Sequence, residues 1–260
     1  MYRKFMRILV LSAHCDDETI GVGAHIAAWR RAGHSVKILF LTDGTPRNRK
    51  FIAANWLGSA RDYRHARRRE AHKAAEELGL AAGEIIFGRI RDQELAANLA
   101  AAWQILKELW LEWHPHWVLA PALQGGHPDH DACNCLNTAL RGYVGQAGNA
   151  ANRRFLEYSL YAREVNHICY LPALAGRKPR LHILPEDWAR KRKAFRQYRS
   201  QAQTLKPFPL APESVRTLPQ YDYSKTPEQG YAWELWGWNM RPRKLSRQFH
   251  DFLARQAARP

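Results

Sequence analysis

The stretch RILVLSAHCDDETIGVGAH, residues 7–25, decides the fold because it changes character twice within one short segment. Ile8 to Leu11 and Ala13 form the near-continuous apolar run of a strand buried on both faces. His14, Cys15, Asp16, Asp17 and Glu18 follow at once, and three carboxylates beside an imidazole are costly to desolvate together. From Thr19 the sequence TIGVGAHIAAWRRA reads as a helix that Gly33 stops. A buried strand, a charged turn and a helix, in that order, open a parallel βα unit.

The order repeats through the first 140 residues. VKILFLTDG (residues 36–44) is a second strand ending in an Asp-Gly turn, and a basic helix is predicted over roughly residues 60–79. EIIFG (84–88) is a third strand. Residues 94–112 then carry Leu95, Leu99, Trp103, Leu106 and Trp110 at helical spacing. HWVLAPAL (116–123) is a fourth strand, followed by a helix over 128–142. The pattern predicts an α/β, Rossmann-like, mostly parallel sheet with helices on both faces.

Beyond residue 150, FLEYSLYA (155–162) reads as a strand and DWARKRKAFRQYRSQAQTL (187–205) as a basic amphipathic helix. Residues 206–230, rich in Pro and polar residues, are expected as a long loop or lid, with YAWELWGWN (231–239) packing back on the core. There is no repeat, low-complexity tract or clean linker. Residues 1–260 are therefore expected as a single domain, with a metal-site core over about 1–145 and a C-terminal part, 146–260, completing sheet, lid and substrate cleft.

In an open parallel sheet, ligands bind beyond the carboxyl ends of the strands. HCDDE follows the first strand directly and GGHPDHD (125–131) follows the fourth, so two distant ionisable clusters are expected at one sheet edge. His14, Asp17 and His130 offer two imidazoles and a carboxylate, the three protein ligands of an open zinc site. The same set also serves non-haem iron, so Zn2+ is expected with Fe2+ as the alternative. The spare aspartate and histidine favour hydrolysis over oxygen chemistry. Asp16 is placed to accept a proton from water activated at the metal, and His127 to donate to a developing oxyanion or leaving group. Pro128 suits the first helical position, where its missing N–H is not needed.

SAHCDDETIG and HPDHD together resemble the paired signatures of the LmbE-like (PIG-L-type) zinc N-deacetylases, among them the deacetylases of N-acetylglucosaminylphosphatidylinositol and of mycothiol and bacillithiol synthesis. The resemblance extends through LTDG (41–44), RRRE (67–70) and RDQEL (91–95), covers roughly the first 140 residues, and has an echo in YRSQ (198–201). It implies a Rossmann-like fold and removal of acetyl from N-acetylglucosamine-type amides. By the same likeness His14, Asp17 and His130 match the zinc ligands and Asp16 the general base. His127 matches the residue that stabilises the tetrahedral intermediate and protonates the amine, and Arg67 and Asp92 match contacts to sugar hydroxyls. Cys15 replaces the usual proline of the first motif, and Gln93 stands where a glycine is common.

The formal charge is +16, which favours anionic partners and says nothing about fold. Five arginines crowd the second helix, Arg61, Arg64, Arg67, Arg68 and Arg69, either as a solvated face or as a rim that steers an anionic substrate. With the basic helix near residue 187 and the tail from Arg241, they suit an anionic or lipid-linked amino sugar and peripheral contact with a membrane. Trp233, Trp236 and Trp238 line an apolar or sugar-stacking cleft, or else pack in the core. The glycines of GVGAH lack dinucleotide-binding spacing, and no nucleic-acid module is recognisable, so no specific nucleic acid is expected. The alternatives are a metal hydrolase of another bond, such as a phosphoester, and a non-catalytic basic binding protein.

Four cysteines are too few for a disulfide scaffold and fit free thiols. The N-terminal apolar run is short and cut off by acids, unlike a signal peptide. These features lead to the expectation of a soluble, cytoplasmic protein.

Overall fold

A computed structural model describes residues 5–46, 52, 56–148, 151–179, 181–227, 229–238 and 240–258. The basic start of the chain (residues 1–4), position 228 in the expected lid, Asn239 of the aromatic segment and residues 259–260 of the tail lie outside the described residues.

The expected alternation is present as β1 (Arg7–Ser12), α1 (Asp17–Arg31), β2 (Ser35–Thr42), α2 (Ala60–Glu77), β3 (Ile85–Ile90), α3 (Leu99–Trp113), β4 (Trp117–Pro121) and α4 (Pro128–Gln146). The chain continues through β5 (Arg154–Tyr158), β6 (Tyr161–Glu164), β7 (His167–Tyr170), α5 (Pro185–Phe195), α6 (Ala202–Leu205), β8 (Val215–Thr217), α7 (Ala232–Leu235) and α8 (Pro242–Ala257). The main sheet has the order β3-β2-β1-β4-β5-β8. Its first five strands are parallel, and β8 runs antiparallel to β5. Chain order reverses between β1 and β4, which opens a crevice at their carboxyl ends.

Alternate residues of β1 feed two cores. Leu9, Leu11 and Ala13 join the side chains of α3, α4 and α8, whereas Ile8 and Val10 join those of α1, α2 and α5. Helix α8 lays Leu245, Phe249 and Phe252 into the first core. Its basic residues are left on the other side of an amphipathic helix.

Three C-terminal expectations need correction. FLEYSLYA is not one strand: after Tyr158 the amide of Ser159 donates to Ser214 O (3.0 Å) and that of Leu160 to Gln124 Oε1 (2.9 Å), which turns the chain out of the sheet. Tyr161 then begins a separate β6–β7 hairpin. The helix expected over 187–205 is interrupted after Phe195 and resumes as a 3-10 turn at Arg199–Gln201 and the short α6. The 206–230 segment is not all loop, because Val215–Thr217 forms the edge strand β8.

Helix α1 is broken at Val22 (φ −145°, ψ 18°). A buried ion pair plugs the break. Lys191 Nζ donates to Ile20 O at 2.8 Å, while the Glu213 carboxylate accepts Ala24 N at 2.7 Å and His25 N at 3.1 Å. The two charges lie 2.9 Å apart with side chains 0% exposed. Gly23 leaves room for this plug, because a Cβ there would lie 3.0 Å from Lys191 Cγ, and Gly21 lets α1 approach β5, because a Cβ there would lie 2.2 Å from the Tyr158 ring. The first turn of α1 is thus locked to α5, and that turn carries the site.

Candidate metal centre and active site

Residues 13–16 connect β1 to α1. The turn is held from inside: Asp17 Oδ2 accepts His14 N at 2.8 Å, and Asp16 N donates to Glu18 Oε2 at 3.2 Å. Glu18 is fully buried and receives the hydroxyls of Thr19 and Tyr198, each at 2.6 Å. Asp16 adopts φ 139°, a region disfavoured for any residue with a side chain and worth about 1–3 kcal/mol of strain. Arg67 holds it there, with Nη2 donating to Cys15 O (2.6 Å) and Asp16 Oδ2 (2.9 Å) and Nη1 donating to Gly44 O. Cys15 itself is 1% exposed and points into the core.

The second cluster arrives on α4. Pro128 occupies its first turn and His127 its N-cap, with Nδ1 accepting Asp129 N at 3.1 Å. His130 follows one turn on. Asp131 Oδ1 accepts the amides of Gln124 and Gly125 (both 3.2 Å), fixing the Gly-Gly turn ahead of the helix. A Cβ on Gly126 would lie 2.4 Å from Tyr161 O, so the β6 strand can approach only a glycine there.

Three residues from the two clusters bring their donor atoms together. His14 Nδ1 and His130 Nε2 are 3.3 Å apart, His130 Nε2 and Asp17 Oδ1 3.1 Å, and His14 Nδ1 and Asp17 Oδ2 3.6 Å. Ligands about 2.0–2.2 Å from a tetrahedral zinc would be separated by about 3.3 Å, so the donor set fits that ion in type and spacing. The opposite nitrogen of His14, Nε2, faces Asp92 Oδ1 at 3.1 Å and Asp129 Oδ2 at 3.5 Å. Carboxylates behind an imidazole fix its tautomer and orient its other nitrogen toward a metal. Two overlapping sets, His14 with His127 and His130, and His14 with Asp92, His127 and Asp129, also have donor atoms within 4.8 Å of one another. The Asp129 carboxylate is already engaged by the amides of Gln93 (2.7 Å) and Leu95 (3.1 Å), and His127 Nδ1 by Asp129 N. Those contacts hold Asp129 and His127 beside the site, whereas the donor atoms of His14, Asp17 and His130 face one another.

The electrostatics agree with a cation here. Burial alone would lower the His14 pKa, yet Asp92, Asp129 and Asp17 hold it well above its usual value. Burial would raise Asp17, and His130 and His14 instead keep it ionised. His127 is pushed well below its usual value by burial and by the two neighbouring imidazoles, so it is neutral. With Nδ1 accepting a backbone N–H, its proton resides on Nε2. Asp16 is pushed up to about 7 by burial, with Arg67 opposing.

These groups line a cavity of about 490 Å³. His14, Asp16, Asp17, His127, His130, Arg67 and Asp92 are among its lining residues. All seven residues singled out in the sequence therefore meet at one cavity. Arg67 and Asp92 are both 4% exposed and reach their neighbours Asp16 and His14. Gln93 also lines the cavity and takes φ 70°, so this loop keeps a glycine-like backbone with a glutamine in place. Trp236 and Trp238 line the cavity, while Trp233 is 0% exposed in the core. The sequence reading missed Asp129 and the Glu18–Tyr198 pair. It also missed Tyr161, whose ring lies 5.3 Å from that of His130. Asp129 lies inside HPDHD, Glu18 inside HCDDE and Tyr198 inside YRSQ, whereas Tyr161 had no signal.

The family model for GlcNAc-PI de-N-acetylase (PIG-L) matches residues 9–140, and the chain belongs to this family of N-deacetylases. Among solved structures it is similar to A40926 pseudoaglycone deacetylase Dbv21, with 24% identity, 78% of this chain and 86% of that chain covered, and a TM-score of 0.60. It is also similar to the zinc-inhibited form of teicoplanin deacetylase Orf2 (19% identity, 77% and 86% covered, TM-score 0.56). A third similar structure is N,N'-diacetylchitobiose deacetylase from Pyrococcus horikoshii (22% identity, 78% and 75% covered, TM-score 0.54). At these identities the likenesses establish the fold. No curated protein matches the chain.

Proposed function

We propose that the chain is a zinc-dependent hydrolase that removes an N-acetyl group from an amino sugar or N-acetylglucosaminyl conjugate, releasing acetate and a free amine. The observation that carries the reading is the convergence of His14 Nδ1, Asp17 and His130 Nε2, with Asp16, in one cavity. A neighbour that is a deacetylase of N,N'-diacetylchitobiose supports the amino-sugar assignment.

His14, Asp17 and His130 would hold the ion, with iron as the alternative to zinc. Bound there, it would supply Lewis acidity toward the amide carbonyl and acidify water. Asp16 takes a proton from the attacking water; a carboxylate tuned toward neutrality by burial suits that role. The bond from water oxygen to carbonyl carbon forms as the negative charge gathers on the carbonyl oxygen. His127 Nε2–H donates to that oxygen. Because His127 Nδ1 already accepts Asp129 N–H, the ring has no second proton to give. We therefore assign protonation of the departing nitrogen to Asp16, and to His127 only the oxyanion. As the C–N bond breaks, the proton on Asp16 passes to nitrogen, and acetate and amine leave. Asp92 and Arg67 orient His14 and Asp16, and their cavity-facing surfaces are available to sugar hydroxyls.

Among the described residues no helix is long and apolar enough to cross a membrane. A cytoplasmic location, with peripheral contact to anionic lipid or an anionic, lipid-linked substrate, is the proposal compatible with a charge of +16.

The test is a panel of N-acetyl amino sugars scored for new amine and acetate, before and after metal stripping and zinc return. Turnover that follows zinc, and falls by about 10³-fold or more in a metal-loaded Asp16→Ala variant, is expected, since the proposed shuttle handles both proton transfers. A zinc-loaded protein that releases no amine, or an active Asp16→Ala, overturns the reading.

A further inference from the structure

The cavity lining combines polar groups with a run of aromatic rings. Asp16, Arg67, Asp92 and Gln93, with Ile20, Pro46 and Tyr63, line it from the part of the chain that the family match covers. Tyr161, Tyr170, Leu205, Phe208, Trp236 and Trp238 line it from outside residues 9–140, where Gln201 and Thr204 are the polar members. The aromatic run is contiguous and starts at the reacting centre. The Tyr161 ring is 5.3 Å from that of His130, and Trp238 is 5.1 Å from His127. From Tyr161 the rings continue to Phe208 (5.8 Å) and Trp236 (6.0 Å), and Tyr170 meets Phe208 at 4.6 Å. Trp236, 36% exposed, stands at the outer end.

A sugar laid wholly on such a wall would bury hydroxyls without partners, which is costly. The wall suits carbon-rich surface. We propose that the substrate carries an extended apolar group beside the scissile amide, and that Tyr161, Phe208, Trp236 and Trp238 bind it. The group is either an acyl chain longer than acetyl or an apolar aglycone. It runs from the histidines out to Trp236, while the sugar hydroxyls meet the polar groups. This inference rests on the deacetylase reading above.

The experiment uses the zinc-loaded protein and two substrate series. In one, methyl glucosaminide carries N-acyl chains of increasing length; in the other, N-acetylglucosamine carries methyl, butyl or octyl aglycones. Each methylene fully buried raises kcat/KM about threefold to fourfold. At least a tenfold rise along one series is expected, and which series rises identifies the source of the apolar group. Phe208→Ala and Trp236→Ala flatten that rise, so their loss on the longest substrate exceeds their loss on the shortest. Two flat series, or variants that lose equally on short and long substrates, overturn the proposal and leave N-deacetylation standing, since the wall then serves the sugar itself. If no substrate yields amine, the deacetylase reading falls. The wall is then read by quenching of tryptophan fluorescence with octyl glucosaminide, below its micellar concentration, against methyl glucosaminide. Tighter octyl binding that Phe208→Ala weakens upholds an apolar subsite; equal affinity overturns it.

Discussion

Asp92 shows how a residue can serve the site from behind. Its Oδ1 lies 3.1 Å from His14 Nε2, and the two are buried together. Asp92→Asn removes the charge that orients this imidazole. Zinc affinity is expected to fall about 10- to 100-fold, read by competition with a chelator, while the fold is retained. Unchanged affinity would mean that Asp129 alone positions the ring. Arg67 acts on Asp16 in the same indirect way. Asp16 sits at about 7 because burial raises it and the guanidinium opposes. The base works when deprotonated, so activity rises with pH as Asp16 ionises. Removing the cation raises the pKa further and moves the acid limb of kcat/KM to higher pH. Arg67→Gln is expected to move it by about one pH unit or more, and Arg67→Lys to restore part of the shift. A limb that stays put in Arg67→Gln would separate Asp16 from the acid-limb ionisation. The proposed ligands were legible in the sequence because each motif directly follows a predicted strand. Asp129 and Glu18 were not, because an acid at a helix start ordinarily reads as a solvated complement to the helix dipole. Burial is what distinguishes them, and burial belongs to the tertiary structure.

Among the elements, α1 depends on a device remote in sequence. Its break at Val22 exposes Ile20 O and the amides of Ala24 and His25, and Lys191 and Glu213 satisfy them. Glu213→Gln strands a buried ammonium and is expected to cost about 3–5 kcal/mol in denaturant unfolding. The double variant with Lys191→Met recovers most of that loss. An equal loss in both would show that the pair does not act as a unit. The pH dependence has a fixed sign. Burial would raise the Glu213 pKa from 4.5, but Lys191 and His25 depress it to about 2. Its contribution is therefore complete above pH 4.5 and is lost as pH falls toward 2, so the gap between wild type and Glu213→Gln closes in acid. Strands β1 to β4 were readable because buried parallel strands are continuous apolar runs. β8 was not, since three residues, Val215–Thr217, become a strand only by pairing with Leu156–Tyr158. Likewise FLEYSLYA has uniform β propensity, and its division after Tyr158 is set by Ser214 and Gln124, far along the chain in either direction.

For the whole molecule, sequence and structure divide between the two ends of the chain. The first 140 residues specify the sheet edge and the proposed metal-binding groups by local pattern. The aromatic side of the cavity is assembled from a hairpin, a loop and a turn at residues 161–238, and no periodicity links them. The central claim is that HCDDE and HPDHD, more than a hundred residues apart, form one metal site. Metal content by mass spectrometry, on the purified protein and on His130→Ala after zinc loading and exhaustive dialysis, tests it most directly. About one zinc per folded chain, lost in His130→Ala, is the predicted result for three protein ligands. A folded protein that takes up no metal, or a His130→Ala variant that retains its full complement, would contradict it.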